Sequence, residues 1–228
     1  MCQVLLTISK NSDILDIARN TSIQMKKLKE YNNELEVLEF KSSYPGILIG
    51  IGHSHGVKGK GEIGMGFTFD YVTGLPYLPG SSLKGILRFG FSQTDYIREI
   101  IENVLNINLS DIEINELITK IFDGETLKKK FVFYDAVISD NENGKALLAL
   151  DTIAPHSKDG LQEPNPINFL RICPGVTFHF EFQLYDIDLS TKKRISKDNI
   201  KNIFKNIIED LGIGAKTNVG YGVLESIE

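Results

Sequence analysis

The chain has 228 residues, 42% of them hydrophobic and 24% charged, with a formal net charge of −5. That length suits one large domain or two small ones, and the apolar fraction supplies a sizeable core. The acidic balance argues against a freestanding basic nucleic-acid binder. Cys2 and Cys173 are the only cysteines. They set neither a disulfide framework nor a cysteine-rich zinc site, and point to a reduced, cytoplasmic setting. No run approaches the ~20 apolar residues of a spanning helix, and the apolar start, Cys2 to Ile8, is too short for a signal-peptide core. The expected chain is soluble, with no membrane partner.

Apolar residues among charges from Ser12 to Glu39 fit an amphipathic helix, so residues 1–44 are expected to form a mostly helical extension. Ile47 to Ile51 reads as a short buried strand, and Gly66 to Val72 alternates like a second. The glycine-rich segment between them reads as a loop. Ser81 or Ser82 then caps a helix carrying Leu83, Ile86, Leu87 and Phe91. That helix breaks near Gly90 to Thr94 and resumes through Ile97, Ile100, Ile101 and Leu105. Asp111 to Phe122 is a further short helix, ending at Gly124.

Phe131 to Ile138, Ala146 to Ala149 and Val176 to Leu184 follow as strands. The last alternates Val176, Phe178, Phe180, Phe182 and Leu184 with polar residues. It is expected to be half-buried, with His179 facing solvent or an interface. Ser196 caps a helix that Gly212 stops near Leu211. Val219 to Ile227 closes as a strand. The order predicts an α+β fold, a ferredoxin-like βαββαβ core with insertions and glycine-rich loops, as one domain over residues 1–228.

Twelve of the twenty glycines fall between Pro45 and Gly90. Lys58, Lys60, Lys84 and Arg88 sit among them, against Glu62 and Asp70. A second cluster runs Gly212-Ile-Gly-Ala-Lys-Thr-Asn-Val-Gly-Tyr-Gly222. Glycine permits close backbone approach, and loop amides beside lysine suit phosphate. Lys84 and Arg88 lie one helical turn apart near a helix N-terminus, which carries free amides and partial positive charge. With Lys216 they are expected to line one anion-binding groove.

Gly214-Ala-Lys-Thr217 is not a phosphate-binding P-loop, because Ala215 displaces the required glycine and the order is helix, loop, strand. Gly59 to Gly64 matches a dinucleotide pattern by letter but leads into a strand. His53 and His55 have the spacing of a metal pair, yet a third ligand would need Asp151 or His156 brought close by folding. No metal or cofactor is expected. Acid–base work on RNA by His53 or His55 is chemically possible; hydrogen bonding to phosphate or base is favoured. Lys128 to Lys130 and Lys192 to Arg194 read as solvated turns.

The stretch Gly74-Leu-Pro-Tyr-Leu-Pro-Gly-Ser-Ser-Leu-Lys-Gly-Ile-Leu-Arg88 and the cluster Gly212 to Gly222 resemble the signatures of CRISPR-associated RAMP proteins. Asp151-Thr-Ile-Ala-Pro-His156 and Pro164-Asn-Pro-Ile-Asn-Phe-Leu170 look like the family of sixth subunits of type III-B (Cmr) effector complexes. The likeness runs from about Gly50 to Gly222. It implies an RRM-like ferredoxin fold that binds CRISPR guide RNA and target RNA and caps the backbone near the 3′ part of the guide. The implied partners are the backbone RAMP subunits, the small helical subunit and another terminal RAMP subunit. It implies no nuclease role, with guide processing through a loop histidine as the alternative. The residues expected to touch or orient RNA are His53, His55, Lys58, Lys60, Ser81, Ser82, Lys84, Arg88, Lys216 and Thr217. Gly80, Gly212, Gly214, Gly220 and Gly222 would supply loop backbone.

Overall fold

The computed structural model of the chain describes residues 35–49, 68–124, 130–141, 146–153 and 167–227. Its centre is an antiparallel sheet built on β7 (Val176–Gln183). One side of β7 pairs with β1 (Glu36–Ser42), and β1 pairs in turn with β10 (Leu224–Ser226). The other side pairs with β4 (Ala136–Asn141), which carries the edge strand β2 (Tyr77–Leu78). The two-residue β3 (Val132–Phe133) also pairs with β7. The strand order is thus β10-β1-β7-β4-β2.

The alternation in β7 places Phe178, Phe180 and Phe182 on the core side, each fully buried. They meet α4 (Lys197–Leu211) through Phe204, whose ring lies 5.5 Å from Phe182 and 5.8 Å from Phe133. Phe91 of α1 (Gly80–Ser92) closes the cluster at 6.2 Å from Phe204. α2 (Thr94–Leu105) starts two residues after α1 ends, at the expected break. α3 (Asp111–Ile118) opens on a capping box between Ser110 and Glu113, runs on as a π-helical turn over Thr119–Asp123 and stops at Gly124 with φ 62°. α4 has the expected ends, with Ser196 accepting from Asn199 N at 3.2 Å and Gly212 at the C-cap.

Two hairpins stand off this sheet. β5 (Leu148–Ile153) pairs with β6 (Ile167–Ile172), and β8 (Ile187–Asp188) with β9 (Arg194–Ile195). No helix among the described residues is long and apolar enough to cross a membrane.

Several expectations are corrected. Residues 36–39 are not the end of a helix; they open β1, because Phe40 and its neighbours pair along β7 in the middle of the sheet. The first 34 residues of the extension expected over residues 1–44 lie outside the described residues. Residues 68–72 are not a strand. Phe69 makes a single bridge to Pro76, and Asp70 Oδ1 then accepts from Val72 N, Thr73 N and Thr73 Oγ1 at 2.7–3.2 Å, closing a turn. Ile47, Leu48 and Ile49 are buried as expected, but only Ile47 bridges, to Ile172. The strand expected over Phe131–Ile138 is interrupted at Tyr134 and Asp135. The closing strand is confined to Leu224–Ser226, because Thr217–Val219 forms a 3₁₀ turn. His179 does not face solvent. It is 1% exposed, with Nδ1 3.1 Å from Glu39 Oε1 and Nε2 3.1 Å from Glu181 Oε1. In a central strand the side chains directly across on both neighbours, Glu39 and Val137, together with Glu181 two residues along, flank the ring on its own face of the sheet, so alternation did not leave it wet.

Candidate nucleic-acid interface

The first turn of α1 is held against the sheet. A side chain on Gly80 would begin 2.2 Å from Phe133 O, so only glycine lets the helix start this close. Gly80 N donates to Asp135 Oδ1 at 2.7 Å. The N-cap residue is Pro79, and neither Ser81 nor Ser82 caps. Asp135, brought in by the sheet, does the work expected of a serine, and both serines are left exposed.

Lys84 and Arg88 share one flank of α1. Lys84 Nζ lies 6.0 Å above the Phe133 ring, at the outer limit of a cation–π contact. Arg88 grips Asp123 through Nη1 at 2.7 Å and Nη2 at 3.4 Å. Much of its charge is therefore already balanced locally.

A different face of α1 carries Ser82, Gly85, Ile86 and Phe89, spaced by three and four residues. Across from it runs Ile213-Gly-Ala215. Together they form an open groove of about 280 Å³. The two glycine-rich blocks, about 130 residues apart, thus meet. Lys84 and Arg88 are not in this groove; helical geometry turns them roughly 150° and 110° from the centre of that face. Lys216 follows directly on the groove wall at Ala215.

The C-terminal loop is fixed from behind. Ala215 N donates to Leu48 O at 2.8 Å, Ile213 N to Gly222 O at 2.9 Å and Gly222 N to Gly46 O at 2.9 Å. At Gly214, with φ +101°, a side chain would begin 2.3 Å from Leu48 O. The glycines at 212, 214 and 222 therefore serve close approach of backbone to backbone. The amides of Gly212, Ile213, Ala215, Gly220 and Gly222 are all spent on carbonyls. Among the described residues, the amides of Gly214, Lys216 and Thr217 have no acceptor. Lys216 itself is left-handed, φ 60° and ψ 34°, and opens the 3₁₀ turn. Successive free amides around a left-handed residue form a small anion-binding concavity, here with an ammonium group attached.

A polar cluster not foreseen from the residues locks this loop to the β5–β6 hairpin. Tyr221 Oη donates to Asp151 Oδ2 at 2.6 Å, and its ring packs edge-on against Phe169 at 5.9 Å. Arg171 places Nε 3.2 Å from Asp151 Oδ2, an ion pair without hydrogen-bond alignment, and donates Nη1 to Pro45 O at 2.7 Å. The Tyr221 hydrogen bond, more than the Arg171 charge, holds the Asp151 carboxyl below its ordinary range. Burial first, then Asp151, pushes the Tyr221 phenol up to about 12. Asp151 is thereby committed to structure. The only sequence signal was its place in a family-like motif; nothing local linked it to Arg171 or Tyr221.

Lys192 and Arg194 are exposed at a hairpin end, as expected of a solvated turn, with Arg194 paired to Asp186, but Lys193 is drawn onto the buried Glu113. His53, His55, Lys58, Lys60, the Gly59 to Gly64 stretch and His156 lie outside the described residues.

The model of the RAMP superfamily matches residues 39–225 of this chain. Over 229 residues the chain is 28% identical to CRISPR system CMR subunit Cmr6 of Saccharolobus solfataricus, covering 92% of this chain and 68% of that protein. Over 206 residues it is 29% identical to CRISPR system Cmr subunit Cmr6 of Pyrococcus furiosus, covering 66% of this chain and 58% of that one. The chain therefore spans 58–68% of the length of these curated relatives. Among solved structures it resembles a chain of the cryo-EM structure of the Type III-B Cmr-beta bound to cognate target RNA. There the TM-score is 0.63 at 27% identity, over 92% of this chain and 65% of that chain. It also resembles the crystal structure of Cmr6 from Pyrococcus furiosus, with TM-score 0.51 and 21% identity, over 85% of this chain and 98% of that one, a likeness of fold alone.

Proposed function

The chain belongs to the RAMP superfamily, and from that premise we propose that it is a non-catalytic, RNA-binding architectural subunit of a type III-B CRISPR effector complex. It caps the backbone near the 3′ part of the guide and helps hold target RNA, in the cytoplasm. Its neighbours are the backbone RAMP subunits, the small helical subunit and another terminal RAMP subunit. Its core is ferredoxin-like: in the βαββαβ unit formed by β1, α1, β4, β7, α4 and β10, the sheet order is fourth, first, third, second strand, all antiparallel. The relatives named as Cmr6 and the likeness to a chain of a Cmr-beta complex with target RNA support this reading.

One observation carries the RNA contact. The glycine-rich blocks converge on one groove, whose wall leads straight into the left-handed Lys216 and three amides that have no acceptor among the described residues. Phosphate binding needs little more, and a guide shared among subunits is held through backbone and shape. Lys216 and Thr217 form the main contact, with Ser82 on the groove wall. Lys84 and Ser81 extend the surface around α1, and Arg88 joins only by sharing or leaving Asp123. The test is a reconstituted complex carrying Lys216→Ala. Guide and target binding should weaken, and the slope of log affinity against log salt should fall by ~0.7, the value of one phosphate on a single strand. An unchanged slope would remove Lys216 from the interface. Incubation of the purified chain with repeat RNA should yield no product; cleavage that disappears in His53→Ala would replace the architectural role with a nuclease.

A further inference from the structure

Tyr44 stands out next to this site. Its side chain is 82% exposed, yet the backbone around it is tied down on both sides. Ser43 N donates to Val223 O at 3.0 Å, Pro45 O accepts from Arg171 Nη1 at 2.7 Å, and Gly46 O accepts from Gly222 N at 2.9 Å. Ser43 Oγ also donates to Glu225 Oε1 at 2.6 Å. The ring is thus a free aromatic face on a fixed mount. Pro45, its chain neighbour, abuts the C-terminal loop: its Cδ is 3.9 Å from where a side chain on Gly220 would begin. Gly220 closes the 3₁₀ turn that Lys216 opens. That turn adds the exposed Asn218 and the 67% exposed Val219. The exposed ring and the turn carrying Lys216 and Val219 are therefore joined through the approach of Pro45 to Gly220.

Stacking on an aromatic ring is the sequence-tolerant way a protein holds single-stranded nucleic acid, and it works with a cation that takes the phosphate. A tyrosine has only two side-chain torsions to lose, so a mounted ring orders at small entropic cost. The nearby carboxylates do not compete for the cation. Asp151 is bound by Tyr221 and Arg171, and Glu225 accepts from Ser43. A protein partner would be served better by a wide apolar patch than by one ring among polar groups.

We propose that Tyr44 is a stacking platform for one base of single-stranded RNA, with the adjoining phosphate on Lys216 and the amides around it. The proposal rests on the RNA-binding reading above and names a residue and a chemistry within it. The chain contains no tryptophan, so Tyr44→Trp installs a single fluorescent reporter. The full chain is titrated with single-stranded oligo(U) of about 12 nucleotides, within the range one such site covers. Binding is followed by anisotropy of end-labelled RNA, and tryptophan emission with unlabelled RNA. Emission should be quenched along the same curve, and Tyr44→Ala should weaken binding at least about fivefold. An abasic oligomer of equal length should bind without quenching and be indifferent to Tyr44→Ala. Tyr71→Trp, 95% exposed on the Asp70 turn, reports non-specific quenching.

RNA binding with no quenching, or equal quenching at position 71, overturns the Tyr44 assignment while leaving RNA binding intact. No anisotropy change with the wild-type chain at any concentration sinks the assignment together with the RNA-binding reading. Unaltered RNA binding by Tyr44→Ala, with loss of the chain from the reconstituted complex, would overturn it by making this corner a protein contact.

Discussion

Glu113 shows how one side chain is tuned by what packs on it. It is buried, accepts from Lys193 Nζ, Thr191 Oγ1 and Ser110 N, and closes the capping box of α3. Lys193 first, then Thr191 and Ser110, lower its pKa from 4.5 to about 2. A carboxyl depressed on folding stabilises the native state fully above its unfolded pKa and loses that contribution as pH falls through the folded one. The stability contributed by Glu113 should therefore decline between about pH 4.5 and pH 2. In Glu113→Gln that part of the acid-unfolding profile should flatten, as measured by denaturant midpoints at each pH. An unchanged profile would assign the acid sensitivity to other carboxylates. Neither Glu113 nor its partners form a sequence motif beyond Ser-x-x-Glu. That spacing encodes the cap locally, while Thr191 and Lys193 arrive from a hairpin about 80 residues later.

The element that carries the most information is α1. Its glycines at 80 and 85 look alike in the chain and differ in the fold. A side chain on Gly80 would collide with Phe133 O at 2.2 Å, whereas one on Gly85 meets nothing within 4 Å. Gly80→Ala should thus cost ~1–3 kcal/mol through overpacking. Gly85→Ala should gain up to ~1 kcal/mol of helix propensity. Thermal unfolding of the two variants should move in opposite directions. Packing does not require glycine at 85, which lines the groove, so its alanine variant should fold better while making that groove shallower. Phe204 sets the other limit. Enclosed by Phe91, Phe133 and Phe182, it should cost ~3–5 kcal/mol as alanine, read from urea midpoints. The periodicity of α1 and α4 was visible locally. Which face of α1 would meet Ile213 to Ala215 was not, because that depends on a loop about 130 residues away.

At the scale of the whole molecule, the C-terminal loop is the joint between the sheet, residues 46–48 and the β5–β6 hairpin. Leu48 O, Gly46 O, Asp151 and Phe169 all meet it. Tyr221→Phe keeps the ring contact and removes the hydrogen bond that anchors Asp151. Amide hydrogen exchange along β5 and β6 should then accelerate while the sheet centred on β7 stays protected. Uniform acceleration would mean that the cluster supports the global fold instead. The proposed RNA contact asks for only a few local groups in an acidic chain; among the described residues most cations are engaged in ion pairs such as Arg98 with Asp95 and Lys201 with Glu36.

The amino-acid order alone determined the mixed α/β class, the start and stop of α4, the break between α1 and α2, the stop at Gly124, and the two glycine blocks with their family likeness. Those depend on periodicity, caps and turn chemistry acting over a few residues. Folding alone decided that Asp135 caps α1, that His179 lies between two glutamates, that Lys84 and Arg88 turn away from the groove, and that Pro45, next to Tyr44, abuts Gly220 at the end of the turn Lys216 opens. Each of these depends on groups far apart in the chain. Sheet pairing and loop docking set such distances, and no local spacing encodes them.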